Sequence, residues 1–312
     1  MSESSNYDPG DWKGYDFDAA RKTYDKHVGR SYSAAKADNK RVSDLIPVQL
    51  KTDSPAPLVI LCDVTGSMGD WPATIFSKLP YLDNECKEYL GPDYEVSYAA
   101  TADQDDSYPL QVRNFTTGRD QEVQLKELII GGGAGPEGAH EAYELAALYY
   151  AKNVEMPKAE HPILIFISDE HFHKSIDKTF AKVAHVDIES KMSTKDIFEE
   201  LRKKFAVYVI RKPYPGEDTA INKEWSEVLG DDHVAHLPSA DRVVDVIFGI
   251  LAKETNKINY FKEEIEDRQR PDQVDTVYKS LKTIHALPKD VGNGKSVFHT
   301  NMKGTKTKRL MP

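Results

Sequence analysis

The stretch LVILCDVTGSMGD, residues 58–70, runs through five apolar residues, stops on an aspartate, and continues with a threonine, a serine and two glycines. An unbroken apolar run of strand length fits a strand covered on both faces, as in a parallel sheet. The polar residues then fall at the carboxyl end of that strand. Further strands are expected at 95–101 (EVSYAAT), 163–167 (ILIFI), 206–210 (AVYVI) and 233–236, with 110–115 (LQVRNF) returning antiparallel after the turn DQDDSYP. Between them, helices are expected over 71–90, 120–130, 139–152, 194–204, 222–229 and, as one long closing helix, 241–267. Apolar strands alternating with longer amphipathic stretches predict an α/β domain with a mostly parallel sheet and one antiparallel edge strand.

Outside this region the pattern thins. Residues 1–50 are rich in Asp, Ser, Lys and Tyr and suggest one helix, over 17–28, so they read as an N-terminal extension. The α/β domain is placed at 55–268. Beyond it the periodicity fades, and 269–312 reads as a C-terminal extension whose end carries Lys295, Lys303, Lys306, Lys308 and Arg309 against a single acid, Asp290. The chain of 312 residues, 39% hydrophobic, is long enough to bury a full core. Its net charge of -10 argues against nucleic-acid binding through a dominant basic face, leaving only the basic tail for such contacts. The start MSESSNYDPGDWKGYDFD has no basic-then-apolar leader pattern and no stretch reaches bilayer length, so a cytoplasmic, non-membrane protein is expected. With only Cys62 and Cys86, a disulfide framework is not expected, and Cys62, inside the first strand, reads as core.

In an open α/β sheet, ligands bind beyond the carboxyl ends of the strands. Three such places carry polar groups here: Asp63-Val64-Thr65-Gly66-Ser67, the glycine loop GGGAGPEG (131–138) with Glu137, and Ser168-Asp169-Glu170. With no Lys or Arg nearby in sequence, these carboxylates and hydroxyls form an all-oxygen set. Such a set suits Mg²⁺, or Mn²⁺ or Ca²⁺, better than zinc. Positions 63, 65 and 67 would share one side of an extended segment. Ser67 also reads as the N-cap of the helix that follows, and Glu137 as an acid favoured at a helix start.

LVILCDVTGSMGDW resembles the first loop of von Willebrand factor A (vWA) domains, whose metal-ion-dependent adhesion site uses D-x-[ST]-x-S. The resemblance extends over residues 57–253, with three motifs in the family's order. It implies a Rossmann-like vWA fold and one divalent cation held by Asp63, Thr65 and Ser67 from the first loop and Asp169 from the third. The second loop lacks the usual threonine and is similar to the integrin β-subunit version, whose Pro-Glu pair implies Glu137 as a ligand. By the same likeness, Asp70 and Asp103 correspond to acids at adjacent cations. Gly132 and Ala134 stand where that version has asparagine and aspartate, so one ion is expected.

The function this resemblance implies is binding rather than catalysis, with the ion capturing a carboxylate from a partner protein. Intracellular relatives suggest an AAA+ ATPase of the MoxR or chelatase type, or its client, as that partner. An alternative is a structural component of a multiprotein or viral assembly, clamped through the two extensions. A third reading, a metal-dependent hydrolase, would use His171 or His173 of DEHFHK, but H-x-H lacks the spacing of H-E-x-x-H. Glu170 and these histidines are otherwise expected to rim the site or to start the next helix. The glycine loop lacks the G-K-[ST] of a phosphate loop, and Ser67 lacks the G-x-S-x-G setting of a nucleophile.

Overall fold

A computed structural model describes residues 16, 19, 30–131 and 140–284. Apart from residue 19, the expected helix over 17–28 lies outside the described residues, as do the glycine-loop residues Gly132, Ala134 and Glu137 and the basic tail. The strand predicted from LVILC is Pro57–Asp63 (β1), and all seven of its residues are buried. It lies inside a six-stranded sheet with Glu95–Thr101 (β2), Leu110–Val112 (β3), Ile163–Ser168 (β4), Ala206–Arg211 (β5) and Val234–His236 (β6). The spatial order is β6-β5-β4-β1-β2-β3. Every neighbouring pair is parallel except β2 with β3. The chain therefore starts in the middle, winds out to one edge, returns, and winds out to the other, a Rossmann-like α/β arrangement. Between β1 and β4 the winding reverses, and the helices that follow those two strands pack on opposite faces of the sheet; in open α/β sheets the carboxyl ends at such a reversal are where ligands bind.

Alternation along β1 divides the core. Leu58, Ile60 and Cys62 face one layer, and Val59 and Leu61 the other. The first layer is closed by Trp71–Leu90 (α1) and by Val243–Glu254 (α6), which meet over the sheet. The second contains Tyr143–Lys152 (α3), Thr194–Arg202 (α4) and Asp218–Leu229 (α5). From Tyr143 to Ala151 every residue of α3 is buried. Asp120–Lys126 (α2) ends earlier than the periodicity predicts, although Leu128, Ile129 and Ile130 are all buried. Residues 140 and 141, expected in a helix, form instead a short strand parallel to His171–Phe172.

The C-terminal part departs most from expectation. The stretch 241–267 is two helices, α6 and Ile258–Arg268 (α7), broken at Asn256, whose φ of 56° places it in the left-handed region that Asn tolerates better than most residues. After Arg268 the chain forms another helix, Pro271–Ser280 (α8), with proline in its first turn, where the missing N–H has no partner to lose. Val274, Val277, Leu281 and Ile284 recur at helical spacing and join the core. Leu281 seats against Gly249 of α6 so closely that a Cβ there would lie 2.2 Å from its Cδ1. The helix Tyr32–Ala37, not anticipated from sequence, packs through Tyr32 against Tyr108. Cys62 and Cys86 are buried free thiols. Among the described residues no helix is long and apolar enough to cross a membrane.

Candidate cation site at the carboxyl end of the sheet

Strand register assembles the site. Cys62 of β1 lies opposite Ile167 of β4, and Ser168 opposite Arg211 of β5, so the residues that follow these strands emerge together. Asp63 is fully buried. Its Oδ1 accepts hydrogen bonds from the Thr65 amide (2.8 Å) and the Thr65 hydroxyl (2.6 Å), and its Oδ2 accepts one from the Tyr143 hydroxyl (2.5 Å). The Thr65 and Ser67 hydroxyls lie 3.2 Å apart, and Ser67 Oγ donates to Oδ1 of Asp169, also at 3.2 Å. Four of the five predicted ligands are thus joined in one chain of contacts. The backbone does not stay extended as expected: Thr65 is extended, but Gly66–Met68 is a 3-10 turn that swings Ser67 toward the third loop.

Two groups in this corner were not found by sequence reasoning. The first is Glu141, which the short 140–141 strand carries into the interior, leaving it 4% exposed. Burial pushes its carboxyl up to about 12, with the charges of Asp63, Glu170 and Asp103 adding to the shift and a hydrogen bond with Thr65 opposing it. Its Oε2 is buried with no hydrogen-bond partner. Glu141 lies four residues beyond Glu137, so the acidic spacing after the glycine loop was the available signal. The second is Lys212, directly after β5, whose ammonium donates to Oδ2 of Asp169 at 2.8 Å and to the Ser67 carbonyl. No Lys or Arg lies near these carboxylates in sequence, but the tertiary fold brings in one from 43 residues away.

The remaining candidates divide. Glu170 is buried beside Asp169; burial and that neighbouring charge raise its pKa, against hydrogen bonds with Ser67 and Glu141. Asp70 is exposed at the N-cap of α1 and takes no part in the contacts that join Asp63 to Asp169. Asp103 accepts a hydrogen bond from His173 Nε2 at 2.8 Å. His173 belongs to a group of three histidines, with the His140 ring centroid 5.3 Å from His171 and 5.4 Å from His173. The ring nitrogens of His171 meet Glu224 (2.5 Å) and Glu217 (3.3 Å).

Oxygen donors dominate this chemistry, and the buried Glu141 Oε2 has no hydrogen-bond partner. Both features suit a hard dication, for which Asp63, Thr65, Ser67 and Asp169 are the candidate ligands. Among the described residues no three His, Cys, Asp or Glu side chains form a ready-made metal cage. Two carboxylates and two hydroxyls would therefore hold such an ion with help from water.

Burial moves the Asp63 carboxyl from 3.8 to about 8, with the Asp169 charge adding to the effect, and it moves the buried Glu144 from 4.5 to about 8. A carboxyl raised on folding takes up a proton on folding, so its contribution to stability falls as pH rises from the unfolded toward the folded value. Burial works against the charged form of His173, but the bond to Asp103 and the Glu144 charge outweigh it and raise its pKa, a stabilisation likewise lost as pH rises. In EDTA, the thermal midpoint is expected to fall between about pH 6.5 and about pH 8, and Mg²⁺, which binds the carboxylate form, should reduce the fall. A midpoint that stays flat or rises over this window in differential scanning fluorimetry would contradict the assignment.

No family model matches the sequence, and no curated protein does. Among solved structures, the chain is similar to the pilus adhesin SpaC from Lactobacillus rhamnosus GG in its open conformation. The two share 10% sequence identity at a TM-score of 0.45, over 69% of this chain and 31% of the adhesin. Another form of the same adhesin aligns at 10% identity and a TM-score of 0.44, over 70% of this chain and 32% of that one. The chain thus spans about a third of the length of these structures.

Proposed function

We propose that the protein is a vWA-type binding module that holds one divalent cation, Mg²⁺ or else Mn²⁺ or Ca²⁺, and uses it to capture an acidic residue of a partner protein. The observation that carries this reading is the contiguous set Asp63-Thr65-Ser67-Asp169, drawn from two strand ends at the point where the sheet's winding reverses. Asp63 and Asp169 supply the charge, Thr65 and Ser67 the neutral oxygens, and Tyr143 fixes Asp63 from behind. When bound, the dication supplies a coordination position that a carboxylate from another protein fills in place of water. The exposed surroundings of the site then select among partners by shape and charge.

Binding rather than turnover is favoured by the state of His171, whose two ring nitrogens both face carboxylates instead of standing open to act on a water. For the partner, the resemblance to intracellular vWA proteins supports an AAA+ ATPase of the MoxR type or its client. The test is affinity capture on the purified full chain from the native extract, in Mg²⁺, in EDTA, and with Asp63→Ala in Mg²⁺, read by mass spectrometry. A partner present only in the first arm is the expected result. A partner retained equally in all three would move the function away from this site.

A further inference from the structure

The Lys212 side chain hydrogen-bonds two members of the Asp63-Thr65-Ser67-Asp169 set, and its placement is determined by the sheet. Arg211 pairs in register with Ser168, and the Lys212 amide continues the ladder by donating to the Ser168 carbonyl at 2.8 Å. Its side chain consequently starts beside the third loop. The ammonium bonds Oδ2 of the fully buried Asp169 at 2.8 Å and also donates to the Ser67 carbonyl, while the other Asp169 oxygen accepts from the Ser67 hydroxyl. One flexible side chain, 22% exposed, thereby neutralises a buried carboxylate and ties the first loop to the third.

We propose that Lys212 is the resident cation of this site in its metal-free state, and that a divalent ion must displace the ammonium from Asp169 in order to bind. The inference rests on the reading of Asp63 and Asp169 as ligands of a dication. A lysine suits exchange because its ammonium is a compact charge on a four-carbon stem that can swing toward solvent; an arginine in its place would hold the carboxylate through a rigid two-toothed fork and release it less readily. The internal ammonium keeps the two loops at working distance when no metal is present, and it sets the dication concentration above which the site loads.

The test is Mn²⁺ binding to the full chain, followed by electron paramagnetic resonance, for the parent protein, Lys212→Met and Lys212→Arg, with thermal unfolding of each in EDTA. Lys212→Met should bind Mn²⁺ at least about fivefold more tightly than the parent, the lower edge of ordinary coupling between competing ligands. It should also melt at a lower temperature in EDTA, because Asp169 is then buried without its partner. Lys212→Arg keeps the charge yet should bind Mn²⁺ more weakly than the parent, which separates displacement from a simple change in local field. If the parent binds Mn²⁺ and the three affinities coincide, the inference falls and the cation site stands. If neither the parent nor Lys212→Met takes up Mn²⁺, the inference falls together with the reading beneath it.

Discussion

Asp63→Asn should lose Mn²⁺ affinity by at least about a hundredfold, since even outer-shell partners of a metal site cost up to that much when removed. The same substitution should raise the thermal midpoint in EDTA at about pH 8. These opposed effects come from one cause. Asp63 is buried near Asp169, and burial together with that charge drives its pKa up to about 8. An asparagine keeps an acceptor for the Thr65 amide and hydroxyl and turns its amide toward the Tyr143 hydroxyl, so the local bonds survive without the charge. Relief of repulsion stabilises the fold, whereas loss of a negative ligand empties the site. A residue retained for packing alone would show the reverse, lower stability with unchanged ion uptake. A substituted protein that binds Mn²⁺ like the parent would remove Asp63 from the ligand set.

Trp225→Ala should destabilise the protein by about 3–5 kcal/mol, the range for truncating a large buried aromatic. For a domain of this size that lowers the melting temperature by roughly 10 °C. Trp225 is fully buried in α5, with its ring 5.2 Å from Tyr143, 5.4 Å from Phe166, 5.3 Å from Phe172 and 5.8 Å from Phe198. Its indole N–H donates to the Glu170 carbonyl at 3.2 Å, so the same side chain that fills the second core layer also holds the loop after β4. Trp225→Phe keeps most of the packing and loses the donor, and it should recover most of the stability. Lys223→Ala, on the exposed side of the same helix, should change stability by no more than about 0.5 kcal/mol. A loss below about 1 kcal/mol for Trp225→Ala in chemical denaturation would mean that the aromatic cluster is far looser than these distances imply.

The sheet was readable in the sequence because its central strands are buried on both faces, which leaves a continuous apolar run such as ILIFI with abrupt polar ends. Helix α1 was readable for a related reason: Gly91, with a φ of 92°, stops it where an L side chain would be strained. Boundaries set by tertiary contacts were not readable. The pairing of His140–Glu141 with His171–Phe172 removes two residues from a segment that looks helical by composition, and α8 shows too few apolar positions to stand out unless its spacing is counted.

For the site, local sequence placed Asp63, Thr65 and Ser67 at the end of one strand, but the 3-10 turn at Gly66–Met68, not the two-residue spacing, sets where Ser67 lies. Local sequence also determined that Asp169 would sit at the end of another buried strand. Only the tertiary structure decided that those two ends are neighbours, that Glu141 turns inward, and that Lys212 sits opposite Asp169, 43 residues away along the chain. The physical reason is that a strand's burial is written in its own residues, whereas its neighbours and register follow from how helices pack across the whole sheet. The charge balance of the site, with Lys212 against Asp169, belongs to that second kind of information.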